Sequence, residues 1–77
     1  MWVLHVFEKE GDRLLAEYPL PGIKIELLRR LWNQADTNPM YDSYPVGMTQ
    51  ASSISKYLTA PIDLDEFAYF VEYQADR

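Results

Sequence analysis

The chain has 77 residues and no cysteine, and it is 48% hydrophobic with a formal net charge of −5 at pH 7. A domain of this size buries only roughly 60% of the surface that its unfolded chain exposes, so its core is thin, and no disulfide or thiolate-bound metal reinforces it. No stretch approaches the roughly 18 consecutive apolar residues of a membrane span, and the composition predicts one soluble, cytoplasmic domain over residues 1–77.

Two strands that form a hairpin are predicted at the start of the chain. Residues 2–8 alternate, but both sides of the alternation are apolar, which is typical of a central or covered strand. Gly11 lies in a turn sequence, and residues 13–18 follow with apolar side chains at every second position, which predicts the returning strand. Pro19 is expected to end this strand, because proline has no N–H to donate to a sheet.

Two helices are predicted in the middle of the chain. Residues 24–34 carry apolar side chains at helical spacing with polar side chains opposite them, which predicts an amphipathic helix. A shorter helix is predicted over residues 50–58, with Thr49 as its N-cap. Between the helices, residues 44–46 are expected to add a short edge strand in which Pro45 is tolerated.

The strongest strand signal lies near the end of the chain. Residues 67–73 alternate and are rich in aromatic and β-branched side chains, which predicts the last strand. The resulting order is β-β-α-(short β)-α-β. Helices that are segregated from an antiparallel sheet predict an α+β, two-layer domain with three to four strands and two helices.

His5 is the one histidine in the chain and the natural candidate for a general base near neutral pH. Nucleophilic catalysis would require a serine or a carboxylate to reach it across the fold. Because Val3 and Phe7 share its side of the strand, a structural imidazole that is hydrogen-bonded within the sheet is favoured. The sequence has no glycine-rich phosphate loop and no zinc-ligand spacing. It therefore predicts a protein that is not an enzyme and that uses no cofactor.

The acidic residues are concentrated in the second half of the chain. Residues 40–76 contain six acidic residues and one basic residue, Lys56. Such a surface repels nucleic acid and anionic membranes and attracts basic partners, but acidity for solubility alone explains it equally well.

An acidic cluster, Asp63, Asp65 and Glu66, precedes the last strand. It lacks the glycine and the ligand spacing of a calcium-binding loop, so no metal site is predicted. A helix-capping or solvated turn is the favoured interpretation. The alternative is that these carboxylates bind arginine or lysine side chains of a partner.

The six tyrosines are more than so small a core can easily use, because each buried hydroxyl needs a hydrogen-bond partner. Tyr69 and Tyr73 fit core positions of the last strand. Tyr41 and Tyr44 lie in a loop beside Asp42, where an interface role and a structural role are equally supported. The residues predicted to contact a partner are Tyr41, Asp42, Tyr44, Asp63, Asp65 and Glu66.

Four motifs in this chain, taken together, carry a resemblance to a known protein family. They are YPLPG at residues 18–22, MYDSYPV at residues 40–46, PIDLD at residues 61–65 and YFVE at residues 69–72. They resemble an uncharacterised family of small acidic bacterial proteins, some encoded near polymorphic or contact-dependent toxin genes and interpreted as immunity proteins. The resemblance spans nearly the whole chain and supplies no functional residues.

What the resemblance implies is an antitoxin that neutralises a cognate toxin domain by stoichiometric protein–protein binding. Many such toxins are nucleases with basic grooves, which an acidic, tyrosine-rich inhibitor complements. The alternative is a structural or regulatory subunit that assembles with itself or with a larger complex through its sheet edge or a helix face. A monomer is the expected state if the first hypothesis holds, and an obligate oligomer would favour the second.

Overall fold

The computed structural model describes residues 1–75, in which four strands and two helices are formed. The elements are β1 (Trp2–Glu8), β2 (Leu14–Pro19), α1 (Ile25–Leu31), β3 (Tyr44–Pro45), α2 (Met48–Ile54) and β4 (Phe67–Tyr73), with a 3₁₀ turn, Ser55–Tyr57, after α2. The predicted α+β class and element order are confirmed. No helix within these residues is long and apolar enough to cross a membrane.

The four strands form one antiparallel sheet in the spatial order β2-β1-β4-β3. The first and last strands of the chain therefore lie side by side in its centre. Leu4 of β1 lies opposite Tyr18 of β2 and Val71 of β4, so these three side chains point to the same side of the sheet.

The helices cover that side, and the core lies between the two layers. Its largest fully buried side chains come from both layers and from the loop before β3: Leu4, Leu28, Met40, Ile54 and Val71. Val3 is also buried but lies outside this cluster, because it points to the other side of β1.

Helix α1 is shorter than the sequence predicts, and the prediction that it extends to residue 34 is wrong. Asn33 takes a left-handed backbone conformation with φ of 53°. Its N–H donates to the Arg30 carbonyl at 3.3 Å, and the Gln34 N–H donates to the Arg29 carbonyl at 2.7 Å. This pattern is a Schellman motif, which satisfies the last carbonyls of the helix and turns the chain away.

Helix α2 begins earlier than the sequence predicts. Gly47 is its N-cap, and the Gly47 N–H donates to Oε1 of Gln50 at 3.0 Å. Thr49 lies inside the first turn, so the prediction that Thr49 caps this helix is wrong. The Gln50 side chain folds back toward the start of the helix and accepts the hydrogen bond from the Gly47 N–H. This half of a capping box needs no side chain on the capping residue.

Strand β2 contains an irregularity that the sequence pattern hides. Val6 lies opposite Ala16, but the next residue, Phe7, lies opposite Leu14, so Leu15 is an extra residue in β2. Such a β-bulge changes the side of the sheet to which the following residues point. The alternation predicts Leu14 on the side of Ala16, whereas the structure places it across from Phe7. Both leucines are exposed, at 43% for Leu14 and 40% for Leu15.

Candidate functional site

The side of the sheet that faces away from the helices is the candidate site, and we call it the open face. Strand register places alternate residues of β1, β2 and β4 on it. Neither helix contributes to it, because the side chains of both helices pack on the opposite side, around Leu4 and Val6. The open face consists of Val3, His5, Phe7, Leu14, Glu17, Pro19, Ala68, Phe70 and Glu72.

Aromatic side chains form the middle of the open face. The rings of Phe7 and Phe70 meet edge to face, with centroids 5.7 Å apart and an interplanar angle of 82°. They line a depression of about 410 Å³ together with Ala68 and Ser43. An ion pair closes its hairpin end, where Arg13 Nη2 lies 2.6 Å from Glu8 Oε1. The depression is therefore apolar at its floor and charged at its rim.

A row of polar side chains crosses the open face beside these rings. His5 Nδ1 lies 2.9 Å from Glu72 Oε2, and the Ser43 hydroxyl donates to the same oxygen at 3.2 Å. On the other side, Glu17 Oε1 lies 3.1 Å from His5 Nε2. Glu17 is in β2, His5 in β1 and Glu72 in β4, so this polar row connects three strands, and Ser43 extends it to the residue before β3.

The geometry of the polar row differs from that of a nucleophile and its base. The Ser43 hydroxyl bonds the glutamate and not the imidazole, and no other serine within residues 1–75 donates to His5. Glu17 approaches Nε2 off the N–H direction, so this buried nitrogen has no hydrogen-bond partner in the part of the chain that the structure describes. The imidazole thus lies between two carboxylates and links strands.

The same row offers no convergent set of metal ligands. The two carboxylates approach opposite nitrogens of one imidazole, so their oxygens diverge from each other. Throughout residues 1–75, no three histidine, aspartate or glutamate side chains are grouped so that they could hold a metal ion.

Tyr41 and Asp42, two of the residues predicted to contact a partner, are exposed at one end of the sheet. Tyr41 is 71% exposed, and its ring centroid lies 5.4 Å from that of Tyr73, the last residue of β4. The Tyr73 ring in turn meets Trp2 edge to face at 4.9 Å. This ring contact gives Tyr41 a preferred position while most of its surface remains free for a partner.

Tyr44 does not join that exposed pair. It is only 8% exposed, lies opposite Val71 and packs against the Trp32 ring at a centroid distance of 5.9 Å. Its hydroxyl accepts a hydrogen bond from Asn38 Nδ2 at 3.2 Å. The prediction that Tyr44 contacts a partner is corrected, because its ring belongs to the core.

The acidic cluster before β4 forms a turn that its own first residue stabilises. Asp63 Oδ1 accepts hydrogen bonds from the backbone N–H groups of Asp65 at 3.1 Å and Glu66 at 3.2 Å. This is the favoured capping interpretation, and it assigns the Asp63 carboxylate a structural role. The side chains of Asp65 and Glu66 are exposed, and Lys9 donates to the Asp65 carbonyl at 3.1 Å.

The predicted contact residues do not form one patch. Tyr41 and Asp42 lie near Tyr73 at one end of β4, whereas Asp63, Asp65 and Glu66 precede Phe67 at the other end. A strand of 7 residues spans about 20 Å, so one small contact patch cannot include both groups.

Sequence reasoning missed the residues of the open face other than His5. The sequence indicates this face in part. A strand that is apolar on both sides needs packing partners on both sides of the sheet, and the two short helices can pack on only one of them. The pairing of Glu17 and Glu72 with His5 depends on strand order, which alternation alone does not give.

Comparison with known proteins yields a family and no activity. A family model described as a domain of unknown function, DUF7683, matches residues 1–72. The chain belongs to the DUF7683 family. The match reaches from β1 to Glu72 of β4, so it contains every member of the polar row. No curated protein and no solved structure matches this DUF7683 chain. The family description names no function, so the immunity role stays a prediction.

Proposed function

We propose that this DUF7683 protein is an immunity protein that binds a cognate toxin domain stoichiometrically and inhibits it. The observation that carries the proposal is the open face, where the two helices leave one side of the sheet to be covered by something else. The rings of Phe7 and Phe70 and the side chain of Leu14 form an apolar centre there, of the kind that protein interfaces bury. The resemblance to proteins of toxin loci supplies the class of partner.

Charge on the open face favours a basic partner. Glu17 and Glu72 flank the apolar centre, with side chains 44% and 31% exposed, and the chain as a whole carries a net charge of −5. Carboxylates at the rim of an apolar patch accelerate encounter with a cationic surface and oppose encounter with nucleic acid or an anionic membrane. A nuclease-like toxin with a basic groove has the complementary charge, and its inhibitor would act in the cytoplasm.

Binding rather than catalysis is the proposed mode of action, without metal or cofactor. His5 and Ser43 are engaged with Glu72, and in this role they hold the strands together beneath the interface. The test is co-purification of the protein with the product of its adjacent gene. A one-to-one complex that abolishes toxicity is expected, and a neighbour that is no toxin or does not bind at micromolar concentration would refute the proposal.

Leu14→Asp is expected to weaken this complex at least about tenfold, because it places a charge opposite Phe7 in the apolar centre and costs the interface on the order of 1.4 kcal/mol or more. Met48→Asp is the matched control. Met48 is 81% exposed but lies in α2, on the other side of the domain, so the same change of charge should leave affinity unchanged. Calorimetric titration measures the affinity of both variants for the toxin. An equal loss of affinity in the two variants would place the interface elsewhere.

Asp42→Lys is expected to slow association with a basic toxin while leaving the fold intact, because Asp42 is exposed near the rim of the sheet. Reversal of a rim charge acts mainly on the association rate and on its salt dependence. Stopped-flow association at two salt concentrations measures the effect. A lower melting temperature would show instead that the aspartate is structural.

A second candidate function is assembly with further copies or a larger complex. It is favoured by one observation, which is that the exposed leucines lie on an edge strand, where a second sheet could pair. Light scattering on the isolated protein separates the candidates. A monomer at all concentrations supports the inhibitor, and an obligate oligomer supports assembly.

A further inference from the structure

The two edges of the sheet differ in what their backbones offer to another strand. On the β3 edge, the Val46 N–H donates to the Tyr69 carbonyl at 2.9 Å, and Tyr44 lies opposite Val71. Because backbone groups alternate in direction along a strand, Pro45 is the residue that turns outward. It has no N–H, so this edge presents no donor to a partner at its centre.

The β2 edge presents a donor. The Leu20 N–H donates to the Trp2 carbonyl at 3.0 Å, which fixes the alternation along β2. Tyr18 and Ala16 therefore turn their backbone groups toward β1, whereas Glu17 and Pro19 turn theirs outward. The sequence predicts that Pro19 ends β2, but the strand includes it. Its backbone nitrogen faces away from β1, so the missing N–H costs no hydrogen bond between the two strands.

The available edge is short. The bulge at Leu15 interrupts the regular pairing at one end, and Pro19 closes the other end. Between them, Glu17 offers both its N–H and its carbonyl. A partner strand that pairs here makes hydrogen bonds centred on this residue.

We propose that the outer edge of β2 binds an extended, basic segment of the partner protein as a fifth strand of the sheet. The inference rests on the proposed function, since it names how the toxin is held. Strand addition supplies backbone hydrogen bonds for affinity, and side chains on alternate positions supply specificity. A segment added here continues the open face, because every second side chain of the added strand stands on that face beside Leu14 and Glu17.

The Glu17 carboxylate selects a cationic segment. It is 44% exposed and lies 3.1 Å from His5 Nε2 without hydrogen-bond alignment, so its oxygens are available to an arginine or lysine of the added strand. A second copy is a poorer occupant. Two β2 edges paired symmetrically about Glu17 place one carboxylate directly opposite the other, which destabilises a strand pair.

The direct test is amide hydrogen exchange measured by NMR on the intact protein. In the free protein, the Glu17 amide is expected to exchange fast, while the Ala16 and Tyr18 amides, bonded to β1, exchange slowly. A nine-residue peptide that alternates lysine and valine, at millimolar concentration, is expected to slow Glu17 exchange at least about tenfold. The same peptide with glutamate in place of lysine should have no effect.

Two variants separate the backbone contribution from the charge. Glu17→Pro removes the outward N–H and should abolish binding of the basic peptide, while its melting temperature reports whether the pairing with β1 survives. Glu17→Gln keeps the N–H and loses the charge, so protection should persist with weaker binding.

Three results would overturn the inference. They are no protection of the Glu17 amide by the basic peptide, equal protection by both peptides, or protection that grows with protein concentration alone. The last would assign the edge to a second copy. The peptide experiment does not use the product of the adjacent gene. Strand addition at β2 can therefore be refuted while the inhibitor proposal stands, and the reverse also holds.

Discussion

Leu28→Ala is expected to destabilise the domain by about 2–5 kcal/mol. Leu28 is 0% exposed and belongs to the cluster that joins α1 to the sheet. Its truncation removes the transfer free energy of the buried side chain and leaves a cavity that a two-layer domain can fill only in part. The size of the loss depends on how far α1 moves toward the sheet.

A loss of this size is a large share of the free energy of unfolding of the whole domain. A domain of 77 residues has a free energy of unfolding of roughly 4–12 kcal/mol, so Leu28→Ala leaves a marginal fold or none. Urea unfolding followed by tryptophan fluorescence measures it. Leu14→Ala is the matched control, because Leu14 is 43% exposed, and a change within about 0.5 kcal/mol is expected there. Equal losses at both positions would contradict the described core.

The second large effect is expected at Asn38, which organises the loop between the helix α1 and β3. Its Nδ2 donates to Gln34 Oε1 at 2.8 Å and to the Tyr44 hydroxyl, while its Oδ1 accepts from the Met40 N–H at 2.9 Å. Its carbonyl accepts from Arg29 Nε at 2.8 Å. The bond to Met40 matters most, because Met40 is fully buried and has a φ of 61°, a left-handed conformation that is costly for a methionine.

Asn38→Ala is expected to cost about 1–3 kcal/mol, since it removes three side-chain hydrogen bonds and leaves their partners unsatisfied. Asn38→Asp retains an acceptor for the Met40 N–H but has no donor for Gln34 or Tyr44, so it should be less destabilised than Asn38→Ala. Denaturant unfolding of both variants measures the difference. If the two variants lose equal stability, the bond to Met40 is not what holds the loop.

The central strands could be predicted from the sequence alone. The predicted bounds of β1 and β4 agree with the structure, because aromatic and β-branched side chains at period two leave little freedom in their assignment. The α+β class and the order of elements followed from the same pattern together with two amphipathic stretches.

The ends of the helices could not be predicted in the same way. Asn33 ends α1 through its backbone conformation, and Gly47 begins α2 with help from a glutamine side chain three residues ahead. Both depend on hydrogen bonds that form only once the chain has turned. Propensity alone favoured Thr49 as a cap and continued α1 through residue 34.

The site was the least predictable part. Loop composition pointed to Tyr41 and Tyr44 alike, but contact with Trp32 and Asn38 buries the second. The open face depends on which side of the sheet the helices cover and on a bulge at Leu15, and neither leaves a mark in the alternation. Composition alone therefore predicts six contact residues. The structure places two of them at one end of the sheet, three at the other end, and Tyr44 in the core.

The pairing of β1 with β4 has a consequence for how the chain acquires its fold. These neighbours in the centre of the sheet are separated by nearly the whole sequence, since Trp2 pairs with Tyr73 and Glu8 with Phe67. Such contacts raise the contact order, and the loop between them must close before the central ladder gains any stability. During synthesis, the sheet cannot close until β4 has left the ribosome. Until then β1, apolar on both sides, has only the β2 hairpin, and a hairpin alone is marginally stable in water.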